Sequence, residues 1–213
     1  MRISDDRYAR DIHRIDLALR LIRLEARTHT IHQWTGLSDD RIRKLYKSYC
    51  AEAPSVDLAR HRGKSPRQAA FFFRNAECHF HAAQLASLYL VYGLTSWSGQ
   101  GVGAAYRPGS LAAGATLCSA YETYRQLHRP TMISFEHAWF LLLALSRHAE
   151  IGMEKCGCGG VRLTDLLARR SAVCSTCGAS GLARPPAAGR RRPAAVGPAG
   201  AMRGTALLRA GEL

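Results

Sequence analysis

Four of the seven cysteines stand as two close pairs, and no other feature of the sequence constrains the fold as strongly. Cys156 and Cys158 form the first pair, Cys174 and Cys177 form the second, and fifteen residues separate the pairs. Two pairs at this separation can place four thiolates at the corners of a tetrahedron around Zn²⁺. The alternative is a loop that contains unrelated cysteines. We predict one structural Zn²⁺ per chain, held in a small module over residues 153–182.

The first pair has the spacing C-x-C, which requires a tighter turn than the usual C-x-x-C. Glycines follow both pairs and allow backbone N–H groups to turn toward the sulfurs. Four thiolates fill a tetrahedral coordination sphere and leave no position for water or substrate. The motifs H-E-x-x-H and H-x-E with P-C-x-x-C are absent from the sequence. We therefore predict a structural site and no enzymatic activity, in preference to a metal hydrolase.

The other cysteines, Cys50, Cys78 and Cys118, are far apart and are interpreted as small buried hydrophobic residues. Cys78 precedes His81 by three residues, with His79 between them, so a second metal site is an alternative. Residues 1–10 lack an apolar run, and the longest apolar stretch, residues 138–145, is shorter than a membrane helix. We expect a cytoplasmic protein without a membrane segment, in which thiols stay reduced.

Hydrophobic periodicity predicts an all-α body, because strict alternation nowhere persists for the length of a strand. The first helix carries apolar residues at positions 12, 15, 19 and 22. A later helix is expected to begin at Ser65 and to reach residue 92, another to span residues 110–127, and the last to begin at Ser134. The glycine-rich residues 93–109 are expected to form a loop.

Composition divides the chain into three parts. Residues 1–152 are predicted to form a helical domain that binds DNA and a partner, and residues 153–182 to form the zinc module. Residues 183–213 are rich in Arg, Ala, Pro and Gly and are predicted to be a disordered basic tail. This tail holds six arginines and one glutamate, so most of the net charge of +14 belongs to the preceding residues. Such an excess favours a polyanionic partner.

Residues 28–47 fit a helix-turn-helix template. Gly36 occupies the turn, where a left-handed backbone is favourable only for glycine. Ile42 and Leu45 are expected to face inward from the second helix. The basic residues expected on its outer face, suited to phosphates and guanine edges, are Arg41, Arg43, Lys44 and Lys47. His32 departs from the template, which prefers a small residue there, and an ordinary helical hairpin is the alternative.

A second basic stretch follows, with the cations Arg60, Arg62 and Lys64. One interpretation is a solvated loop, the usual structure of a run of charges. The other is an arm that contacts the nucleic-acid backbone. The sequence does not decide between them.

The motifs LALRLIRLEAR, GLSDDRIRKLYKSY, HRGKSPRQAAFFF and CGCGG…CSTC, followed by a basic tail, resemble the FlhC family over residues 12–178. FlhC is one subunit of the flagellar master transcription activator of proteobacteria. The resemblance implies an all-α body, a zinc site at the four paired cysteines, and a hetero-oligomer with the small helical protein FlhD. It also implies binding to double-stranded DNA at flagellar class 2 promoters and recruitment of RNA polymerase. The family pattern has one more residue in the first cysteine pair.

We therefore predict a DNA-binding transcriptional activator subunit that acts with FlhD. The alternative is an RNA- or ribosome-associated structural zinc protein, which shares the charge and the cysteines but needs no recognition helix. Phe71, Phe72 and Phe73 are consecutive, so on a helix they point in three directions. We expect one of them to lie outside the core of the chain, at the interface with the partner.

Overall fold

A computed structural model describes residues 2–52, 61, 63, 65–98, 101–168, 170–171, 174 and 176–177. The predicted basic tail lies outside this part of the chain, which is mostly helical, as expected. The α-helices are α1 (Arg2–Arg23), α2 (Thr28–Thr35), α3 (Asp39–Glu52), α4 (Ala76–Val91), α5 (Leu111–Leu127) and α6 (Phe135–Arg147), with a 3₁₀ helix at Ala69–Phe73. The strands are β1 (Thr95–Ser98), β2 (Gly101–Ala104), β3 (Ile151–Lys155), β4 (Val161–Asp165) and β5 (Arg170–Ser171).

The amphipathic helix predicted from the first apolar pattern is α1. Its second half enters the core, where Leu21 and Ile22 are fully buried. Nearer the start of α1, Tyr8 and Ile12 are exposed. The periodicity therefore identifies the helix correctly, but only part of its apolar stripe is covered by the chain.

Two helices begin where their capping residues predict. The side chain of Ser110 accepts a hydrogen bond from the N–H of Ala113 and starts α5. The side chain of Ser134 accepts one from the N–H of His137 and starts α6. A serine in this position satisfies one of the N–H groups that the first turn of a helix leaves without a partner.

The helix expected to begin at Ser65 begins eleven residues later, at Ala76. Residues 69–73 form the 3₁₀ helix instead, and the side chain of Asn75 accepts a hydrogen bond of 2.7 Å from the N–H of Cys78. Asn is among the strongest N-capping residues, so α4 starts directly after Asn75. Because of this break, Phe72 is fully buried and Phe71 and Phe73 both pack against the core. Phe71 and Phe73 keep part of their surface exposed, and the expectation that one of the three phenylalanines lies at the partner interface stays a prediction.

The glycine-rich segment forms a β-hairpin, where we expected a loop. Thr95 pairs with Ala104 and Ser98 with Gly101 in an antiparallel register. Gly101 has a φ of +124°, a left-handed conformation that few other residues adopt, and Val102 is buried in the core. Each strand has only four residues, too few for alternation to stand out in a sequence that is rich in glycine.

The strands β3, β4 and β5 form an antiparallel sheet, with Ile151 opposite Asp165 and Lys155 opposite Val161. The prediction of an all-α body is therefore incomplete. Ile151, Met153 and Leu163 are buried in the same core as the helices. The division into three domains stays a prediction. Within the described ranges, no helix has both the length and the apolar character needed to cross a bilayer.

Candidate metal centre and basic surface

The four cysteines predicted to bind metal lie at the tip of the β3–β4 hairpin and in the segment after β5. Their sulfur atoms are all within 4.8 Å of one another. The Sγ atoms of Cys156 and Cys177 are 3.6 Å apart, and so are those of Cys158 and Cys174. Tetrahedral Zn²⁺ with bonds of about 2.3 Å requires sulfur–sulfur distances of about 3.8 Å. The donor set therefore has the spacing and the chemistry of a thiolate metal site.

A tight turn accommodates the short C-x-C spacing of the first pair. The N–H of Cys156 donates to the carbonyl of Gly160 at 2.8 Å, and the N–H of Gly159 donates to the carbonyl of Cys156 at 3.0 Å. Gly159 has a φ of +85°, which favours glycine. A Cβ atom at Gly160 would lie 2.7 Å from Oγ1 of Thr176, so this position has no space for a side chain. The turn brings Cys156 into the cluster with the other three sulfurs.

The pKa values of Cys156 and Cys177 are shifted in opposite directions. The backbone N–H of Cys158 donates to the sulfur of Cys156 and lowers the pKa of Cys156 to about 7. Cys177 donates its S–H to Cys158 and Cys156, which raises the pKa of Cys177 to about 12. A divalent cation among the sulfurs would favour the thiolate form of all four, because a coordinating thiol loses its proton.

The histidines beside Cys78 serve structural contacts. His79 Nε2 lies 3.4 Å from the carbonyl oxygen of Leu163, and His81 Nδ1 lies 2.8 Å from the hydroxyl of Tyr124. Burial lowers the pKa of both histidines. Among the residues with described positions, only the four paired cysteines form a group of three or more metal-ligating side chains.

The helices α2 and α3 form a pair joined by a turn at Gly36. Gly36 has a φ of +67°, the left-handed conformation that the sequence predicts, and its N–H donates to the carbonyl of His32 at 2.8 Å. The side chain of Ser38 accepts a hydrogen bond from the N–H of Arg41 at the start of α3. The ring of His32 is exposed, and its Nδ1 lies 2.8 Å from the carbonyl oxygen of Leu37. His32 therefore spans the turn and does not separate the two helices.

One face of α3 packs against the hydrophobic core. Ile42 is fully buried, Leu45 is half-buried, and the hydroxyl of Tyr46 donates to the carbonyl of Ala26 at 3.0 Å. The other face is exposed and carries Arg41, Arg43, Lys44 and Lys47. This inward and outward division is the one that the sequence predicts.

The cations of the exposed face fall into two classes. The two ion pairs are Arg41–Asp11 at 3.1 Å and Arg43–Asp40 at 2.8 Å. Lys44 and Lys47 form no ion pair with any residue in the described part of the chain. The surface of α3 therefore holds two free ammonium groups and two arginines with exposed acidic partners.

Three predicted contacts, Arg60, Arg62 and Lys64, lie outside the described residues. Two residues between them are placed beside the corner that joins α1 to α2. His61 Nε2 lies 2.9 Å from a carboxylate oxygen of Glu25, and a Cβ atom at Gly63 would lie 3.8 Å from Nη1 of Arg27. The same corner contains Ala26, whose carbonyl binds the hydroxyl of Tyr46 from α3.

The structure contains a cleft between α2 and α6 that was not predicted from the sequence. It has a volume of about 490 Å³, and its walls include Trp34, Tyr106 and Trp139. These residues come from distant parts of the chain, so no local motif marks the cleft. The nearest sequence signal is the concentration of aromatic residues in α6.

No family model matches the chain. A curated protein with significant similarity is the flagellar transcriptional regulator FlhC of Verminephrobacter eiseniae (strain EF01-2). The two are 28% identical over 171 residues, which cover 76% of this chain and 80% of that protein. The chain is therefore similar, over most of its length, to a protein described as a transcriptional regulator.

Proposed function

We propose that this protein is a DNA-binding transcriptional regulator of the FlhC type, stabilised by one structural Zn²⁺ at its four paired cysteines. The observation that carries the proposal is the basic outer face of α3, a helix whose inner face is fixed in the core. A rigid helix with projecting cations can contact phosphates and base edges without a large ordering cost. The similarity to FlhC supports the same class of function.

The electrostatics of α3 favour a phosphate partner. Lys44 and Lys47 have no competing acid among the residues with described positions. Arg41 and Arg43 belong to exposed ion pairs, which contribute only about 0–1 kcal/mol. Phosphates can therefore replace the acids at little cost. We expect the two lysines to attract the DNA phosphates first. The two arginines should exchange their acidic partners for phosphates once the complex forms.

We propose that the second basic stretch extends the basic surface of α3. His61 contacts Glu25 at the corner between α1 and α2, one residue before the carbonyl of Ala26 to which α3 is bonded through Tyr46. We propose that Arg60, Arg62 and Lys64 contact the DNA backbone next to the groove that α3 occupies.

Titration of duplex DNA that carries a flagellar class 2 promoter tests the proposal. The double variant Lys44→Gln/Lys47→Gln should weaken binding and reduce the log–log salt slope by about two, since each lost phosphate contact removes about 0.9. The matched control is Arg125→Gln/Arg129→Gln, which removes two exposed cations at the far end of α5. Equal effects of the two double variants, or tighter binding to a structured RNA than to the promoter, would contradict the proposal.

The metal is tested separately. Elemental analysis of reduced protein should find one Zn²⁺ per chain, and Cys174→Ser or Cys177→Ser should remove it. Cys118→Ser is the control, because Cys118 is a buried thiol far from the cluster in sequence and outside its ligand set. A full complement of metal in Cys174→Ser would show that these sulfurs do not hold it.

The proposed partner is FlhD, and α1 offers a surface for it. Tyr8 and Ile12 are 71% and 41% exposed and are four residues apart, so they share one face of the helix. Exposed apolar side chains at this spacing suit the apolar face of another helix. Co-expression with FlhD and size-exclusion chromatography should give a hetero-oligomer that Tyr8→Ser/Ile12→Ser disrupts. Val91→Ser, on α4, where Val91 is 79% exposed, should leave the hetero-oligomer intact.

Regulation by the complex would act through RNA polymerase at flagellar class 2 promoters. In vitro transcription from such a promoter should rise when the protein and FlhD are both added. The rise should be lost with Lys44→Gln/Lys47→Gln and kept with the control on α5. Activation without FlhD would contradict the proposal that the protein acts together with FlhD.

A further inference from the structure

The cleft between α2 and α6 has the dimensions of a small-molecule site. Its volume is about 490 Å³, within the range of about 300–1,000 Å³ that is typical of ligand pockets. One wall comes from α2, another from α6, and a third from the segment that follows β2. Residues 65–67 close one end.

Aromatic rings form much of this cleft. The rings of Trp34 and Trp139 meet edge to face, with 4.7 Å between their centroids, and the ring of Tyr106 lies 6.1 Å from that of Trp34. Trp34 is buried, whereas Trp139 and Tyr106 are half-buried and keep part of their surface for a ligand. A flat apolar body can therefore pack against Trp139, Tyr106 and Phe140.

Polar donors accompany the rings. The indole Nε1 of Trp34 is buried and has no acceptor among the residues described. The Cε3 edge of this indole faces Gly114 of α5, so its Nε1 edge points away from α5. Burial raises the pKa of Tyr106, and a hydrogen bond between its phenol and the side chain of Ser146 acts in the opposite direction. The lining thus sets the hydroxyl groups of Tyr106 and Ser146 beside its apolar surface, whereas Nε1 of Trp34 is inaccessible to a ligand.

The charges of the cleft favour an anion over a cation. Arg67 and Arg147 line it, are exposed, and form no ion pair with an acid in the described ranges. The acid in the lining, Glu136, is already engaged, because Oε1 accepts from the N–H of Arg27 and Oε2 from the hydroxyl of Thr30. A ligand therefore meets two free guanidinium groups and a carboxylate that is bonded within the protein.

We propose that this cleft is a binding site for a small planar anion, an aromatic ring that carries a carboxylate or a phosphate. The ring packs on Trp139 and Tyr106, and the anionic group binds Arg67 and Arg147. Guanidinium groups bind carboxylate and phosphate through paired hydrogen bonds, so both sources of the anion share one recognition chemistry. The inference goes beyond the DNA-binding function proposed above and does not depend on it.

Isothermal titration calorimetry on the full-length protein tests the site with two matched pairs of probes. Benzoate and benzamide have the same ring and differ in charge, and AMP and adenosine differ by the phosphate. At least one anionic probe should bind saturably at millimolar concentrations or below, and at least tenfold more tightly than its neutral counterpart. A larger gain in affinity of AMP over adenosine than of benzoate over benzamide identifies phosphate as the favoured source of the anion, and the reverse order identifies carboxylate.

Three variants locate the binding. Arg147→Gln should weaken binding of the preferred anion by about tenfold or more, as expected for loss of a hydrogen bond to a charged group. Leu143→Trp should block the site by filling it, with circular dichroism as the check on folding. Arg125→Gln, on an exposed arginine outside the lining, should bind normally. Absence of saturable heat with both anions, equal affinity for charged and neutral probes, or normal binding by Arg147→Gln would each overturn the proposal.

Discussion

Replacement of Glu136 should reveal how strongly the helix pair α2–α3 depends on one buried carboxylate. Glu136 is 3% exposed and lies in the first turn of α6. Its two oxygens accept hydrogen bonds of 2.9 Å from the N–H of Arg27 and 3.0 Å from the hydroxyl of Thr30. Both donors stand at the start of α2, so this side chain holds the beginning of α2 against α6.

The expected cost follows from these two bonds. Glu136→Met keeps the length of the side chain and removes both acceptors. Hydrogen bonds to a charged group contribute about 1.5–3 kcal/mol each to stability. Part of this loss is offset, because the variant no longer buries a charged group away from water. We expect Glu136→Met to lower the free energy of unfolding by about 2–4 kcal/mol, a large part of the typical 5–15 kcal/mol. Glu136→Gln retains polar contacts to both donors without the charge and should cost about half as much.

The matched control is Glu77→Met. Glu77 occupies the same position of α4 as Glu136 does of α6, the second residue after the N-cap, but it is exposed. Its replacement removes the favourable interaction of a carboxylate with the helix dipole, about 0.3–1 kcal/mol, and no described hydrogen bond. The difference between the two methionine variants therefore isolates the bonds to Arg27 and Thr30.

Urea unfolding followed by far-ultraviolet circular dichroism and tryptophan fluorescence measures these differences. Trp34 lies on α2, so its fluorescence reports on the region that Glu136 holds. The order of stability should be wild type, Glu77→Met, Glu136→Gln and Glu136→Met, with unchanged m-values. If Glu136→Met and Glu77→Met lie within about 0.5 kcal/mol of each other, the two buried bonds do not contribute as we argue.

Three further predictions concern proton release on Zn²⁺ binding, the pH dependence of stability, and the space beside Gly101. With the pKa of Cys156 at about 7 and that of Cys177 at about 12, Zn²⁺ binding at neutral pH should release protons, and the apparent affinity should fall as pH decreases. Calorimetry in two buffers of different ionisation enthalpy checks this, and equal heats in both would contradict it. The pKa values of four histidines are lowered by burial, namely those of His79, His81, His128 and His137. The unfolded state therefore binds more protons than the folded state below about pH 6.5, so the urea midpoint should fall as pH drops through that value. A midpoint that stays constant or rises there would show the sign to be wrong. Gly101→Ala should cost about 1–3 kcal/mol, because φ is +124° and the new Cβ would lie 2.8 Å from Cε1 of His148. Gly103→Ala, at a position with open space, should cost less than 1 kcal/mol, as thermal unfolding of the two variants can verify.

Local signals in the sequence predict the local features of the fold well. Ser110 and Ser134 cap the helices that they were expected to cap, because an N-cap depends on residues within one turn. The left-handed conformation of Gly36 and the inward face of α3 follow from equally short-range patterns. The cysteine cluster also follows from sequence, since the spacing of two pairs limits how a metal can be held.

Features that depend on tertiary packing were missed. The sequence predicts a helix that begins at Ser65, whereas the structure places Phe72 in the core on a 3₁₀ helix and starts α4 after Asn75. The strands of the β1–β2 hairpin have only four residues each, and two of the four in β2 are glycines, so the sequence of the hairpin carries almost no periodic signal. The cleft is composed of residues from α2, α6 and two intervening segments, which only the assembled fold brings together.

The position of the β3–β4 hairpin has a consequence for how the chain completes its fold during synthesis. The base of the hairpin supplies Ile151, Met153 and Leu163 to the core that the helices share. While only the helices have emerged from the ribosome, the surface that these three side chains cover in the complete fold is therefore exposed and apolar. The helical core closes only after residue 165 has left the ribosome, shortly before the second cysteine pair emerges. A chain truncated at residue 150 should expose that surface and be held by chaperones, even though all six helices are present.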